Sequence, residues 1–150
     1  MPSRTGWIVD NMVVYAQTKG HIDNEAFLQA DKRLYQYIEE SDQELVHFIF
    51  DYTEVTRLPQ ITVQSQATIA KHPRFGWAVV FGSENRLLRF LTSVSAQLFQ
   101  LRFRMVDTFT EAEAHLRHVY PNLPEFKTFD EIDWHYQDWD EPVGSTPSKV

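Results

Sequence analysis

The chain contains no cysteine in its 150 residues. That excludes disulfide bridges, a thiolate nucleophile and a zinc site of the cysteine type. It also fits a reducing compartment. Glycine is scarce, at five residues spread along the chain, and no glycine-rich loop is available to cradle a phosphate. No apolar run approaches the ~20 residues of a bilayer-spanning helix. The start, Met1-Pro2-Ser3-Arg4-Thr5-Gly6, lacks the apolar stretch of a signal peptide. A cytoplasmic protein with no membrane span is therefore expected. Positive charge is short as well: 14 Lys and Arg stand against 21 Asp and Glu, a net charge of −7. That balance argues against nucleic acid as the main ligand.

Aromatic residues are plentiful, with eleven Phe, six Tyr and four Trp. A chain of this length with that content forms one domain with a real core. Charge is unevenly spread. Residues 125–141 hold seven acids against Lys127, whereas residues 71–104 hold six bases against Glu84. Two solvated surfaces would explain this. So would an acidic tail lying on a basic face, or a basic face that receives an anionic partner.

The clearest architectural signal is Leu45-Val46-His47-Phe48-Ile49-Phe50-Asp51. An apolar run of strand length is expected in the middle of a sheet covered on both faces. Asp51 then marks the carboxyl end of the strand, where α/β proteins place their sites. Upstream, residues 7–17 read as strand, Asp10-Asn11 turn, strand. Phe27, Ala30, Leu34 and Ile38 give a helix over Asn24–Glu39, with Asp23 or Asn24 as its cap. Downstream, Thr62 is expected to cap a helix running to about Lys71, and Gly76–Gly82 is a second buried strand. Ser83-Glu84-Asn85 opens a helix carrying Leu87, Phe90, Leu91, Val94 and Leu98. Phe103–Val106 is a strand near an edge. Thr110-Glu111-Ala112-Glu113 is a capping-box pattern that starts the last helix. The order ββαβαβαβα predicts an α/β fold: a mixed, mainly parallel sheet of four to five strands with helices packed on it. Residues 1–124 form this domain, and 125–150 form an acidic aromatic tail, partly docked or disordered.

This order, with the opening hairpin, the strand ending in Asp51 and the closing Thr110-Glu111-Ala112-Glu113-Ala114 helix, resembles the STAS superfamily over residues 7–120. It is most similar to the SpoIIAA-like branch, related in fold to the lipid-binding CRAL-TRIO/SEC14 domains. The resemblance implies a regulatory module that binds a protein partner. STAS antagonists carry an Asp-Ser-Ser-Gly-like turn whose serine is phosphorylated. Here the matching place holds Pro59-Gln60-Ile61-Thr62; Thr62 offers a hydroxyl at the helix start as a phospho-acceptor position and Ser65 another one turn on, while the plainer reading of Thr62 is a helix cap.

No catalytic constellation, cofactor motif or metal site stands out. His115, His118 and Glu111 share a helix, but such residues are commonly solvated. Ser83, Asn85, Arg86 and Arg89 cluster at a helix start and form the best candidate for binding an anion or an acidic partner. Trp77, Phe81 and Phe90 could line an apolar pocket or simply fill a core. The expected function is a non-enzymatic interaction or regulatory module. A carrier or sensor of a small amphipathic, apolar or anionic ligand is the alternative, and a homodimer is compatible with either.

Overall fold

The computed structural model describes residues 2–64, 66–83 and 102–139. Strands β1 (Ser3–Val9) and β2 (Val13–His21) form the expected antiparallel hairpin. Its turn places Asn11 at φ +64°, a left-handed angle that asparagine tolerates. Helix α1 spans Asn24–Glu40, and the Asp23 carboxylate accepts from the Ala26 N–H at 2.8 Å, satisfying one open donor of the first turn. Its other end is held by Arg74, whose guanidinium donates to the carbonyls of Ile38, Ser41 and Gln43. One charge of the basic stretch is thus a helix C-cap.

β3 (Val46–Arg57), β4 (Phe75–Phe81) and β5 (Arg102–Val106) follow in parallel beside β2. Among the described residues the sheet has six strands in the order β5-β4-β3-β2-β1-β6. β5 is an edge strand, as its charged residues predict. The sixth strand exceeds the four or five expected. It is β6, His135–Gln137, with which the tail pairs antiparallel to β1. Through residue 139 the tail runs along the β1 side, opposite the edge that carries Arg102 and Arg104.

Three other expectations need correction. β3 does not end at Asp51 but runs to Arg57, because β2 continues beside it, pairing Lys19 with Glu54 and His21 with Arg57. What ends there is β4, whose last residue, Phe81, pairs with Asp51. The helix expected from Thr62 to Lys71 is only a turn, α2 (Ile61–Gln64), followed by a separate 3-10 turn at Ile69–Lys71. The second turn has its own cap, supplied across the fold. The buried Asp31 of α1 accepts from the backbone N–H groups of Thr68 and Ile69 and from the Thr68 hydroxyl. Finally, the last described helix, α3 (Phe109–Val119), is capped by Thr108, whose hydroxyl accepts from Glu111 N–H. Thr108 and Glu111 repeat the Thr-x-x-Glu spacing two residues earlier than the expected pair. The helix expected after Ser83 lies outside the described residues.

Both faces of the sheet are covered. One packs Val14, Ala16, Phe48, Phe75 and Ala78 against Leu34, Tyr37 and Ile38 of α1. The other packs Ile8, Tyr15, Ile49, Val79 and Phe81 against Ala112 and Leu116 of α3, against Leu123 just after it, and against Phe129 and Ile132 of the tail. That double cover explains why Val46, Phe48 and Ile49 are fully buried on alternating faces.

Candidate functional site

On the α3 face, the carboxyl end of the parallel strands holds a closed polar network. Asp51 is 2% exposed and accepts four hydrogen bonds. Tyr15 Oη and Gln17 Nε2 donate to Oδ2 at 2.9 and 3.0 Å. The Thr53 N–H and hydroxyl donate to Oδ1 at 3.0 and 2.6 Å. Gln17 turns its Oε1 the other way and accepts from Arg4 Nε at 2.8 Å. Its amide therefore bridges a buried cation to a buried anion. Arg4 is 1% exposed because the tail covers it, with the Trp134 and Trp139 rings at 4.0 and 4.8 Å from its guanidinium carbon. Burial first, and then the adjacent Asp51, drive the Tyr15 pKa upward, so the phenol stays protonated and remains a donor. The tail is aimed by a capping box at Thr128–Glu131, which seats Phe129 in the core. Thr128-Phe129-Asp130-Glu131 carries that Thr-x-x-Glu signal openly in the sequence.

His47, 2% exposed, lies at a register shift between β3 and β4. The extra residue on β4 leaves a backbone N–H out of the ladder. His47 Nδ1 accepts it, from Trp77 N at 3.0 Å. Burial, assisted by Arg102, lowers the His47 pKa to about 4, so the ring is neutral. The imidazole fits because residue 76 is glycine: a Cβ there would overlap the His47 ring.

Trp77 and Phe81, expected around a pocket, also face α3 and contribute to its packing. Trp77 meets His115 edge-on at 4.6 Å, and Phe81 packs against Tyr15 and Phe109. Phe90 lies outside the described residues, as do Asn85, Arg86 and Arg89. Ser83 is buried immediately after Gly82, which adopts φ +92°. Thr62 is exposed within α2. His118 is exposed on α3, and no cluster of metal-ligating side chains occurs among the described residues.

The apolar cavity is on the opposite face, between α1 and strands β1–β3. Its volume is about 140 Å³, and its walls include Ala16, Ile22, Phe27, Leu34, Phe50, Tyr52 and Ile69. Burial pushes the Tyr52 phenol up to about 12, so it too is neutral. Asp31 reaches the wall, but its carboxylate is engaged by Thr68 and Ile69. Thr5 is likewise engaged, at 3.0 Å from the Tyr37 hydroxyl. Thr18 is not: its Oγ1 is buried against the cavity without a hydrogen-bond partner among the described residues. Next to the cavity lies a polar groove of about 550 Å³, bounded by Trp7, Asp10, Gln36, Glu40, Lys127, Asp133 and Trp134. Arg33 of α1 and His135 of β6 line both spaces. Lys127 pairs with Asp10 at 2.7 Å, whereas Arg33 has no carboxylate within ion-pair distance among the described residues. Desolvation and the neighbouring Arg33 lower the His135 pKa, which leaves Arg33 as the cation where the two spaces meet.

The chain is similar in structure to a protein of Shewanella loihica PV-4, described as an uncharacterized protein of the DUF3478 family with a SpoIIAA-like fold. The match has a TM-score of 0.54 at 15% identity and covers 69% of this chain and 83% of that one. The chain has a SpoIIAA-like fold. At that identity the likeness extends to architecture alone. No family model and no curated protein matches the sequence. The hairpin, α1, the parallel strands and α3 thus stand as the resemblance implied. Among the described residues no helix of this SpoIIAA-like fold is long and apolar enough to cross a membrane.

Proposed function

We propose that this protein is a non-catalytic binding module whose ligand is a small amphipathic molecule, held where the cavity beneath α1 meets the polar groove. One observation carries the reading: an apolar cavity and a polar groove share Arg33 and His135 as a common boundary. An apolar group is accommodated on one side and a polar head on the other, which is how small-molecule sites combine affinity with orientation. The non-catalytic part rests on the engagement of the buried titratable groups. Asp51 commits both oxygens to four donors, and His47 commits Nδ1 to a backbone N–H. Neither is free to act as a general base. Partner switching through a phosphorylated serine has no support in residues 59–62, which hold no serine.

The test uses uncharged one-ring probes such as benzyl alcohol and phenylacetamide, observed by saturation-transfer NMR on the full chain. Both should receive saturation. Ala30 lines the cavity, and Ala30→Phe, which fills it, should abolish the transfer while leaving the circular dichroism spectrum unchanged. Absence of transfer to every one-ring probe, or equal transfer in the filled variant, refutes the reading.

A further inference from the structure

The dimensions and polar atoms of the cavity narrow its occupant, given that it is a small-molecule site as proposed above. A cavity of about 140 Å³ is close to the ~150 Å³ that holds one benzene ring. It lies well below the ~300–1,000 Å³ of pockets for larger ligands. A long acyl chain or a sterol does not fit. One ring or a chain of about six carbons does.

Two polar side chains of the wall, Arg33 and Thr18, each ask for a different atom of a ligand. Arg33 presents a guanidinium at the boundary with no carboxylate within ion-pair distance among the described residues. A half-buried guanidinium of this kind is matched by a carboxylate in bidentate geometry. The groove beyond it carries Glu40 and Asp133 as well as the Asp10–Lys127 pair. Those acids repel a second negative charge, so a monoanion is favoured over a phosphate dianion. Thr18 Oγ1 is the second atom, a buried hydroxyl with no hydrogen-bond partner among the described residues. Buried hydroxyls are normally satisfied, and a hydroxyl or carbonyl on the ligand would satisfy this one.

We propose that the cavity binds a monocarboxylic acid built on a single ring or short chain, with its carboxylate on Arg33 and a second polar group on Thr18. Phenylacetate and 4-hydroxyphenylacetate test this directly, against phenylacetamide and phenethylamine as neutral and cationic matches of the same size. Dissociation constants are measured by NMR titration at low salt. The acids should bind tenfold to a hundredfold more tightly than the amide, the range of one charge-assisted contact. Arg33→Gln should erase that gap, weakening the acids far more than the amide. The ring hydroxyl should add a further few-fold, which Thr18→Val removes. Equal or tighter binding of the amide or the amine overturns the assignment, as does an acid whose affinity survives Arg33→Gln. A ring hydroxyl without effect in the native chain, or one whose gain survives Thr18→Val, overturns the Thr18 contact. If neither the acids nor the neutral and cationic probes bind, it is the small-molecule reading of the site that fails.

Discussion

Replacing Asp51 with asparagine changes one atom in the middle of the sheet, and the network around it sets the cost. Oδ1 accepts from the Thr53 backbone N–H, which cannot become an acceptor. The asparagine oxygen must therefore stay on that side and its NH2 must occupy the place of Oδ2. There it faces Tyr15 Oη and Gln17 Nε2, both donors. Tyr15 can rotate its proton away and accept. Gln17 cannot flip without turning its NH2 toward Arg4 Nε, which now donates to Gln17 Oε1 at 2.8 Å. One donor–donor conflict therefore persists, and Arg4 loses the buried anion that the Gln17 amide connects to it. A buried donor left unsatisfied costs about 1–3 kcal/mol, and breaking a buried charge pair about 3–5 kcal/mol. Because Arg4 keeps its contacts with Trp134 and Trp139, the lower end of these ranges applies. The expectation is a loss of about 3 kcal/mol in urea unfolding with the slope unchanged, and a fall of about 6–12 °C in Tm for a chain of this size. The double variant Arg4→Met, Asp51→Asn should cost less than the sum of the two single changes. A loss below about 0.5 kcal/mol for Asp51→Asn, or strict additivity in the cycle, would refute a network that joins Arg4 to Asp51.

Two more outcomes follow from close approaches in the sheet. His47 has its folded pKa lowered to about 4 from the ordinary 6.5, so the unfolded chain binds the extra proton first. Its contribution is complete above about pH 6.5 and is lost as pH falls toward 4, by at most about 3 kcal/mol. Urea midpoints at pH 7 and pH 4.5 should converge in His47→Phe relative to the native chain, and an unchanged pH dependence would show that the ring carries no such shift. Gly82→Ala places a Cβ against the Thr53 hydroxyl and 3.0 Å from the Thr53 N and Cα, at φ +92°. Backbone atoms cannot yield as a side chain does, so a loss of about 3 kcal/mol is expected; a Tm within 2 °C of the native value would count against that crowding.

Elements with local causes were legible in the sequence. The Asp10-Asn11 turn, the Asp23 cap and the apolar stripe of α1 each depend on residues within a few positions of one another. The extent of β3 was not legible, because it is set by its neighbours. β4 stops beside Asp51 whereas β2 continues, and nothing in residues 45–57 records either fact. The broken helix after Thr62 has the same origin. Its second turn begins where Asp31, from a different helix, supplies the cap. Nothing in the residues around Arg4 marks it for burial. It is buried only because Trp134 and Trp139 come back over it from the far end of the sequence. The tail itself was partly legible: the Thr128–Glu131 spacing announces an ordered turn, but the three residues of β6 are too few to show alternation.

The same distinction between local and distant causes locates the candidate site. On the α3 face, Asp51 has four donors, and His47 has the bulge N–H. Residues so engaged stabilise a fold and have nothing left to offer a ligand. On the α1 face, β2 contributes Thr18, α1 contributes Arg33 and β6 contributes His135, and all three line the cavity there. Among the described residues the Thr18 hydroxyl has no hydrogen-bond partner and Arg33 has no carboxylate within ion-pair distance, whereas buried polar groups are normally satisfied. Thr18 and Arg33, around a space the size of one ring, are the physical reason to look for function beneath α1 and not at the strand end marked by Asp51.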